Sequence, residues 1–352
     1  MSRELRCEAL VVGAGPAGAS AAKAMAQAGI DVLVLERRKV IGRPVRCAEY
    51  IPAPLARETA LGQGVAVQKV EGMQSFLHGK LIQDLKAPGF IVDRERFDQA
   101  LARQAEAAGA RLLTGTAVLS RLTTGEVLCQ DDQGRFLVKA GIIAGADGPR
   151  SLVASWMDLR PGRVIPAVQA SVELVQPLSR THIYFHESLR AGYAWLFPKG
   201  RLANAGLGHA AAPGQSCTGQ LKRFLAFLRE EGLVKEGVVG TTCGWIPVEE
   251  HRQICKGSLL LCGDAAGHTH PVTGAGIFQA VMGGAMAGRW AARALQAGRL
   301  AILAGYAEEW REFYGEVLEH AAARRREWEA FSGRLEDGIR RFWIGFREYH
   351  AS

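Results

Sequence analysis

The chain has 352 residues, enough for one large or two ordinary domains with a real hydrophobic core, and 48% apolar with 22% charged residues places it among globular proteins. Lys plus Arg exceed Asp plus Glu by 43 − 35 = 8, a basic balance that suits anionic partners; the charge is dispersed and no helix-turn-helix or RNA-recognition pattern occurs, so nucleic acid is not an expected partner. Seven widely spaced cysteines without a C-x-x-C pair argue against a disulfide framework or a zinc knuckle, no metal site is expected, and a reducing cytoplasm is the expected compartment.

Residues 8–36 read as strand, Gly turn, helix and strand: an apolar run to Val12, an Ala-rich helix opened by Pro16 and stopped at Gly29, then IDVLVLE. The turn is Gly13-Ala14-Gly15-Pro16-Ala17-Gly18, and Glu36 follows 18 residues after Gly18. Gly13 permits the turn, Gly15 admits a pyrophosphate, Gly18 allows close packing, the helix N-terminus faces the anion, and Glu36 can bind a ribose diol. An acid at that position favours a free 2′-hydroxyl, as in FAD or NAD. Residues 88–114 repeat the same grammar, with a strand GFIVD, a helix capped by Asp93 and stopped at Gly109, and ARLLTG; residues 117–144 read as a small meander around QDDQG. From about 161 to 250 the pattern alternates, as in VQASVELVQ and YAWLFP, with one helix near 218–231.

Leu259–Ala266 is a buried strand ending in Gly-Asp, and Pro271–Ile277 opens an apolar helix whose free amides can face a flavin pyrimidine. Gly145-Ala146-Asp147-Gly148 with Ser151 adds a second Gly-Asp turn. This ordered set resembles the FAD-binding scaffold of the p-hydroxybenzoate hydroxylase class over about residues 8–290. The resemblance implies that Arg94 contacts FAD, that Asp264 lies on the ribityl side and that Gly276 and Ile277 lie under the isoalloxazine. Ala17, Arg37, Arg46, Cys47, Asp147 and Gly274 join Gly13, Gly15, Gly18 and Glu36 in the implied cofactor-binding set.

Tyr193–Gly200, YAWLFPKG, with Ala203–Gly208, ANAGLG, resembles segments of the geranylgeranyl reductase family, and Pro44–Glu49, PVRCAE, resembles a segment of its archaeal lipid-reducing members; the chain has Tyr50 where the family usually has Gly. On a strand, Tyr193, Trp195 and Phe197 share one face and can wall an apolar chain, although alternating aromatics also line ordinary sheet cores. Cys47 is the candidate proton donor for reduction of an isolated alkene, against the alternative of a buried structural thiol. His268 and His270 read as hydrogen-bonded loop structure.

The expected architecture is α/β: a Rossmann-like FAD-binding domain from residues 1–160 and 257–300, an inserted antiparallel β-sheet substrate domain at 161–256, and C-terminal helices at 301–352. The expected activity is FAD-dependent reduction of prenyl carbon–carbon double bonds, with an external donor such as reduced ferredoxin or NAD(P)H because only one complete dinucleotide turn is present. The alternatives are a flavin monooxygenase or halogenase, a quinone-linked electron carrier, and a non-catalytic flavoprotein docking module. An apolar substrate argues for peripheral contact with a membrane, yet residues 306–352 carry 8 Arg against 10 Asp plus Glu, which opposes strong attraction to anionic lipid and favours helices packed on protein.

Overall fold

The computed structural model describes residues 3–59, 62–210 and 216–350. Its first sheet is parallel in the order Leu259–Leu261, Gly134–Gly145, Glu4–Val12, Val32–Glu36, Arg111–Thr114, with the short strand Cys255–Lys256 added antiparallel at the edge. Strands buried on both faces need apolar side chains at successive positions, and Ala9–Val12 and Val32–Leu35 supply them. The helix Pro16–Gln27 covers one face and packs directly on the helix Ile277–Gln296. Their backbones nearly touch: a Cβ on Gly284 would lie 2.2 Å from the Ala17 carbonyl oxygen, and one on Gly288 2.4 Å from that of Ala21. Small residues at a four-residue spacing thus join the first and last thirds of the chain.

The 88–114 stretch forms its expected elements but not a second parallel unit. Gly89–Val92 pairs antiparallel with Tyr50–Pro52 and Ala66–Val70 in a separate three-stranded sheet, and only Arg111–Thr114 reaches the parallel sheet. Asp93 caps the intervening helix Arg94–Ala107 by accepting the Arg96 N–H at 3.1 Å.

The third sheet has seven strands in the order Gly240–Pro247, Val164–Glu173, Leu202–Gly208, Tyr193–Lys199, Arg180–Phe185, Gly72–Leu77, Lys80–Leu85. Its last two strands correct the expected boundary, because they come from within residues 1–160 and join through parallel pairing of Gly72–Leu77 with Arg180–Phe185. One face, including Ala194, Leu196, Ala203, Ala205 and Leu207, packs against the helix Cys217–Glu230 through Leu221, Leu225 and Leu228. The opposite face, with Ile183, Phe185 and Trp195, packs against Trp328, Ile339, Phe342, Trp343 and Tyr349 of the C-terminal segment. The aromatic residues of that segment are therefore spent mostly inside the protein; Phe313, 65% exposed, is the clearest exception. No described helix is long and apolar enough to cross a membrane.

Candidate functional site

The turn after the first strand has the geometry a dinucleotide needs. Gly13 has φ +100°, and a Cβ there would stand 2.4 Å from the Ala146 carbonyl oxygen. A Cβ on Gly18 would fall 1.9 Å from the Gly13 oxygen, so the helix can approach the turn only without one. Gly15 is different: a Cβ there meets nothing within 4 Å, so the space in front of the helix is open, and no side chain caps the helix N-terminus. Its first-turn amides therefore face an anion site without an internal competitor. Glu36 accepts the Ala14 N–H at 3.0 Å and the Arg38 N–H at 2.9 Å, which aims the carboxylate while leaving lone pairs for a diol.

Arg38, which the motif reading missed, lies half-buried beside Arg37 and Arg46. Burial first, and then those two like charges, hold it below its ordinary value, with Glu36 and Asp98 opposing. Asp98 is already paired with Arg94, so Arg37, Arg38 and Arg46 face Glu36 with an excess of positive charge that accompanies the uncapped amides. This donor set fits the pyrophosphate of FAD.

The segment Pro44–Tyr50 brings Cys47 against the helix Arg94–Ala107. The Cys47 Sγ accepts the Glu49 N–H at 3.2 Å, and its thiol faces the Arg94 guanidinium; burial pushes the thiol up, and Arg94 and that N–H pull it back. Arg94 is held bidentately by Asp98, Nε to Oδ1 at 3.0 Å and Nη2 to Oδ2 at 3.1 Å. Burial pulls Arg94 down, and Asp98 and Cys47 together more than offset it. Its charge also reaches Asp264, so residues from both halves of the chain meet around this one guanidinium. Asp98, like Arg38, was not foreseen, although Arg and Asp four apart on one helix face are natural partners.

Glu49 is 2% exposed, and its carboxylate accepts the Arg94 N–H at 3.0 Å, Lys199 Nζ at 2.8 and 2.9 Å and Asn204 Nδ2 at 2.7 Å. Glu49, Lys199 and Asn204 all lie inside the quoted motifs, yet sequence reading assigned none of them a task. Together they bolt the Cys47 loop to two strands of the large sheet.

On the far side, burial raises the Asp264 carboxyl while the Thr269 hydroxyl, donating at 3.0 Å, opposes it. Gly276 lies so close to this pair that a Cβ would be 3.0 Å from Thr269 Oγ1, and the helix from Ile277 begins there without a capping side chain. The Asp147 carboxylate accepts the Ser151 hydroxyl at 2.6 Å and the Leu152 N–H at 2.7 Å and so anchors the short helix Leu152–Ser155. Arg37 is exposed, Ala17 is buried at the helix contact, and Gly274 has φ +66° in the turn. Burial pushes His270 down to about 4; its Nδ1 accepts the Thr273 N–H at 3.3 Å and its Nε2 faces Tyr349 Oη at 3.4 Å, which makes it a neutral clasp between this turn and the C-terminus. His268 is fully buried and stacked on Trp310 with ring centroids 3.5 Å apart. Among the described residues no cluster of His, Cys, Asp or Glu could hold a metal ion.

Tyr193, Trp195, Phe197 and Lys199 alternate along one strand and share the face toward the Cys47 loop. Tyr193 and Trp195 line a narrow pocket with Ile165, Ile246, Val272 and Gly274; the Tyr193 hydroxyl donates to the Thr273 carbonyl, and Trp343 stands edge-on to Tyr193 at 5.0 Å. Phe197 lies outside this pocket, edge-on to Tyr50 at 6.4 Å. The Trp195 indole N–H donates to Gln169 Oε1 at 3.3 Å, and Gln169 Nε2 donates to the Cys47 carbonyl at 2.8 Å, so the aromatic strand and the thiol loop are held in one register.

Residues 11–54 match a model of the NAD(P)-binding Rossmann-like domain. Over its length the chain is 33% identical to the digeranylgeranylglycerophospholipid reductase of Methanothrix thermoacetophila, covering 95% of this chain and 89% of that one. The chain belongs to the digeranylgeranylglycerophospholipid reductase family. Within that family's architecture, a geranylgeranyl bacteriochlorophyll reductase-like protein of Thermoplasma acidophilum superposes with a TM-score of 0.86 at 25% identity, covering 94% of this chain and 89% of that one. Aklavinone-11 hydroxylase in a ternary complex with FAD and aklavinone superposes with a TM-score of 0.74 at 20% identity, covering 97% of this chain and 72% of that one, which shows a shared fold. The reductase family thus shares its fold with a hydroxylase. In this member of the digeranylgeranylglycerophospholipid reductase family, Gln169 ties the Cys47 loop to the aromatic strand.

Proposed function

We propose that this chain reduces isolated carbon–carbon double bonds in the prenyl chains of a glycerophospholipid, with FAD as its cofactor. The observation that carries this reading is the junction at Cys47, where the thiol, the Arg94–Asp98 pair and the strand bearing Tyr193 and Trp195 are tied together beside the dinucleotide turn. Reduced FAD, when bound, supplies the hydride equivalent. Tyr193 and Trp195 hold the apolar chain and exclude water, and Gln169 keeps their strand aligned with the loop. Cys47 gives its proton to the alkene carbon opposite the one that takes hydride; burial holds the thiol above its ordinary value, so it is protonated at neutral pH and can act as this acid. An external donor, reduced ferredoxin or NAD(P)H, restores the reduced cofactor, because the chain carries one dinucleotide turn. The substrate's insolubility brings the protein to a membrane surface to collect it.

The test is anaerobic incubation of the dithionite-reduced holoprotein with prenyl glycerophospholipids, followed by mass spectrometry. Stepwise two-hydrogen increments in the prenyl chains are expected, with no oxygen requirement. Unchanged lipid, or oxygen consumption stoichiometric with product, would overturn the reading in favour of a carrier or an oxygenase.

A further inference from the structure

We propose that the Arg94–Asp98 ion pair is the positioning device of the Cys47 sulfur, with Arg94 taking up the negative charge left on sulfur when the thiol proton is transferred. The inference rests on the proposed role of Cys47 and adds how its conjugate base is accommodated. In the proton step the S–H bond breaks, the proton forms a C–H bond at one alkene carbon, and hydride from the reduced cofactor forms the other. Sulfur keeps the electron pair as a thiolate and regains a proton from water. A thiolate beside an apolar wall is costly unless a cation and donors already point at it.

Both are present. The Arg94 backbone N–H donates to Glu49 Oε1 at 3.0 Å and seats Arg94 on the thiol's own loop with its guanidinium toward the thiol, and the Glu49 N–H donates to Sγ at 3.2 Å. Asp98 fixes the guanidinium plane through two hydrogen bonds, at 3.0 and 3.1 Å. The other charged or titratable groups toward the sulfur are Glu49 from its own loop, neutralised by Lys199, and Tyr193 from the aromatic strand; Asp264 lies beyond Arg94. Arg94 is therefore the cation facing the thiol, and Asp98 is the anion that competes with the sulfur for it.

This arrangement makes two substitutions act in opposite directions, which packing damage does not do. The readout is the pH dependence of Cys47 alkylation by iodoacetamide in the FAD-loaded protein, followed on the Cys47 peptide by mass spectrometry. No alkene is present, so a failure to reduce prenyl lipid and a failure of this inference are separate results. Arg94→Met is expected to move the alkylation midpoint up by at least one pH unit and to slow the reaction at pH 8 about tenfold, the usual scale for losing an adjacent opposite charge. Asp98→Asn leaves the guanidinium wholly to the sulfur and is expected to move the midpoint down and speed alkylation. Arg94→Lys keeps the charge and should lie nearer to wild type than Arg94→Met does. If Arg94→Met cannot retain FAD, the downward shift in Asp98→Asn, with its FAD absorbance intact, decides the matter. Midpoints equal to wild type in these variants, or shifts in the same direction for Arg94→Met and Asp98→Asn, would overturn the proposal.

Discussion

Glu49→Ala removes the carboxylate that ties the Cys47 loop to three other segments. Its oxygens accept the Arg94 N–H at 3.0 Å, Lys199 Nζ at 2.8 and 2.9 Å and Asn204 Nδ2 at 2.7 Å. The variant leaves the Lys199 ammonium and the Arg94 N–H without this acceptor and the Asn204 amide with only the Ala48 carbonyl at 3.4 Å. Removing one partner of a buried pair costs ~3–5 kcal/mol. The Lys199 side chain keeps 24% of its exposure, so water recovers part of the loss. That places the expected destabilisation at about 2–3 kcal/mol. The backbone adds a second, separable effect. Glu49 has φ +73°, a left-handed conformation held by those bonds. An L-residue there costs ~1–2 kcal/mol that glycine avoids, so Glu49→Gly should be about 1 kcal/mol more stable than Glu49→Ala despite losing the same carboxylate. Urea unfolding followed by tryptophan and flavin fluorescence measures both differences. Lys199→Met should then lessen the damage of Glu49→Ala, because no orphaned charge remains. A Glu49→Ala variant within about 0.5 kcal/mol of wild type, or strictly additive effects of the two substitutions, would refute the reasoning.

Gly15→Val places a branched side chain in the open space before the helix and should give folded but colourless protein, read by far-UV circular dichroism and by the absence of flavin absorbance after purification. Trp195→Ala should keep FAD yet raise the lipid KM strongly; a loss of 3–5 kcal/mol of stability with unchanged turnover per folded molecule would instead make Trp195 a core residue only. Glu250, whose carboxyl burial pushes up to about 7, binds its proton more tightly in the native state, so stability should fall as pH rises between about 4.5 and about 7. Glu250→Gln should flatten that slope in thermal melts taken across the window and be the more stable protein at pH 8; a slope unchanged in the variant would remove Glu250 as its origin.

Parts of this fold that depend on local pairing were legible in the sequence. The unit over Glu4–Glu36 joins neighbours in the chain, and strands buried on both faces appear as apolar runs whatever lies beyond them. The meander over residues 117–144 announced itself through the turn QDDQG, and its long last strand continues into the parallel sheet. What was not legible was sheet membership. Gly89–Val92 has the same apolar run and following helix as a parallel unit, yet it pairs antiparallel with Tyr50–Pro52. Gly72–Leu77 is matched to Arg180–Phe185 across more than a hundred residues. Neither pairing leaves a trace in local periodicity, because the hydrogen bonds that decide it are made by backbone groups common to every residue.

The site was legible in pieces and opaque in its wiring. The glycines of the turn could be read from chemistry alone, since an anion cradle needs amides and room. The polar network could not, because Glu49 meets Lys199 and Asn204 from 150 and 155 residues away. One signal was nevertheless available. In a strand where Tyr193, Trp195 and Phe197 share a face, the period of two puts Lys199 on that face as well. An ammonium at the end of an aromatic wall rarely remains there unpaired, so the alternation that suggests a wall for an apolar chain also demands a carboxylate from elsewhere. That carboxylate is Glu49, two residues after Cys47. The demand for charge balance on an apolar face thus calls for a carboxylate to close over the wall, and the loop that supplies it in the fold brings the thiol with it.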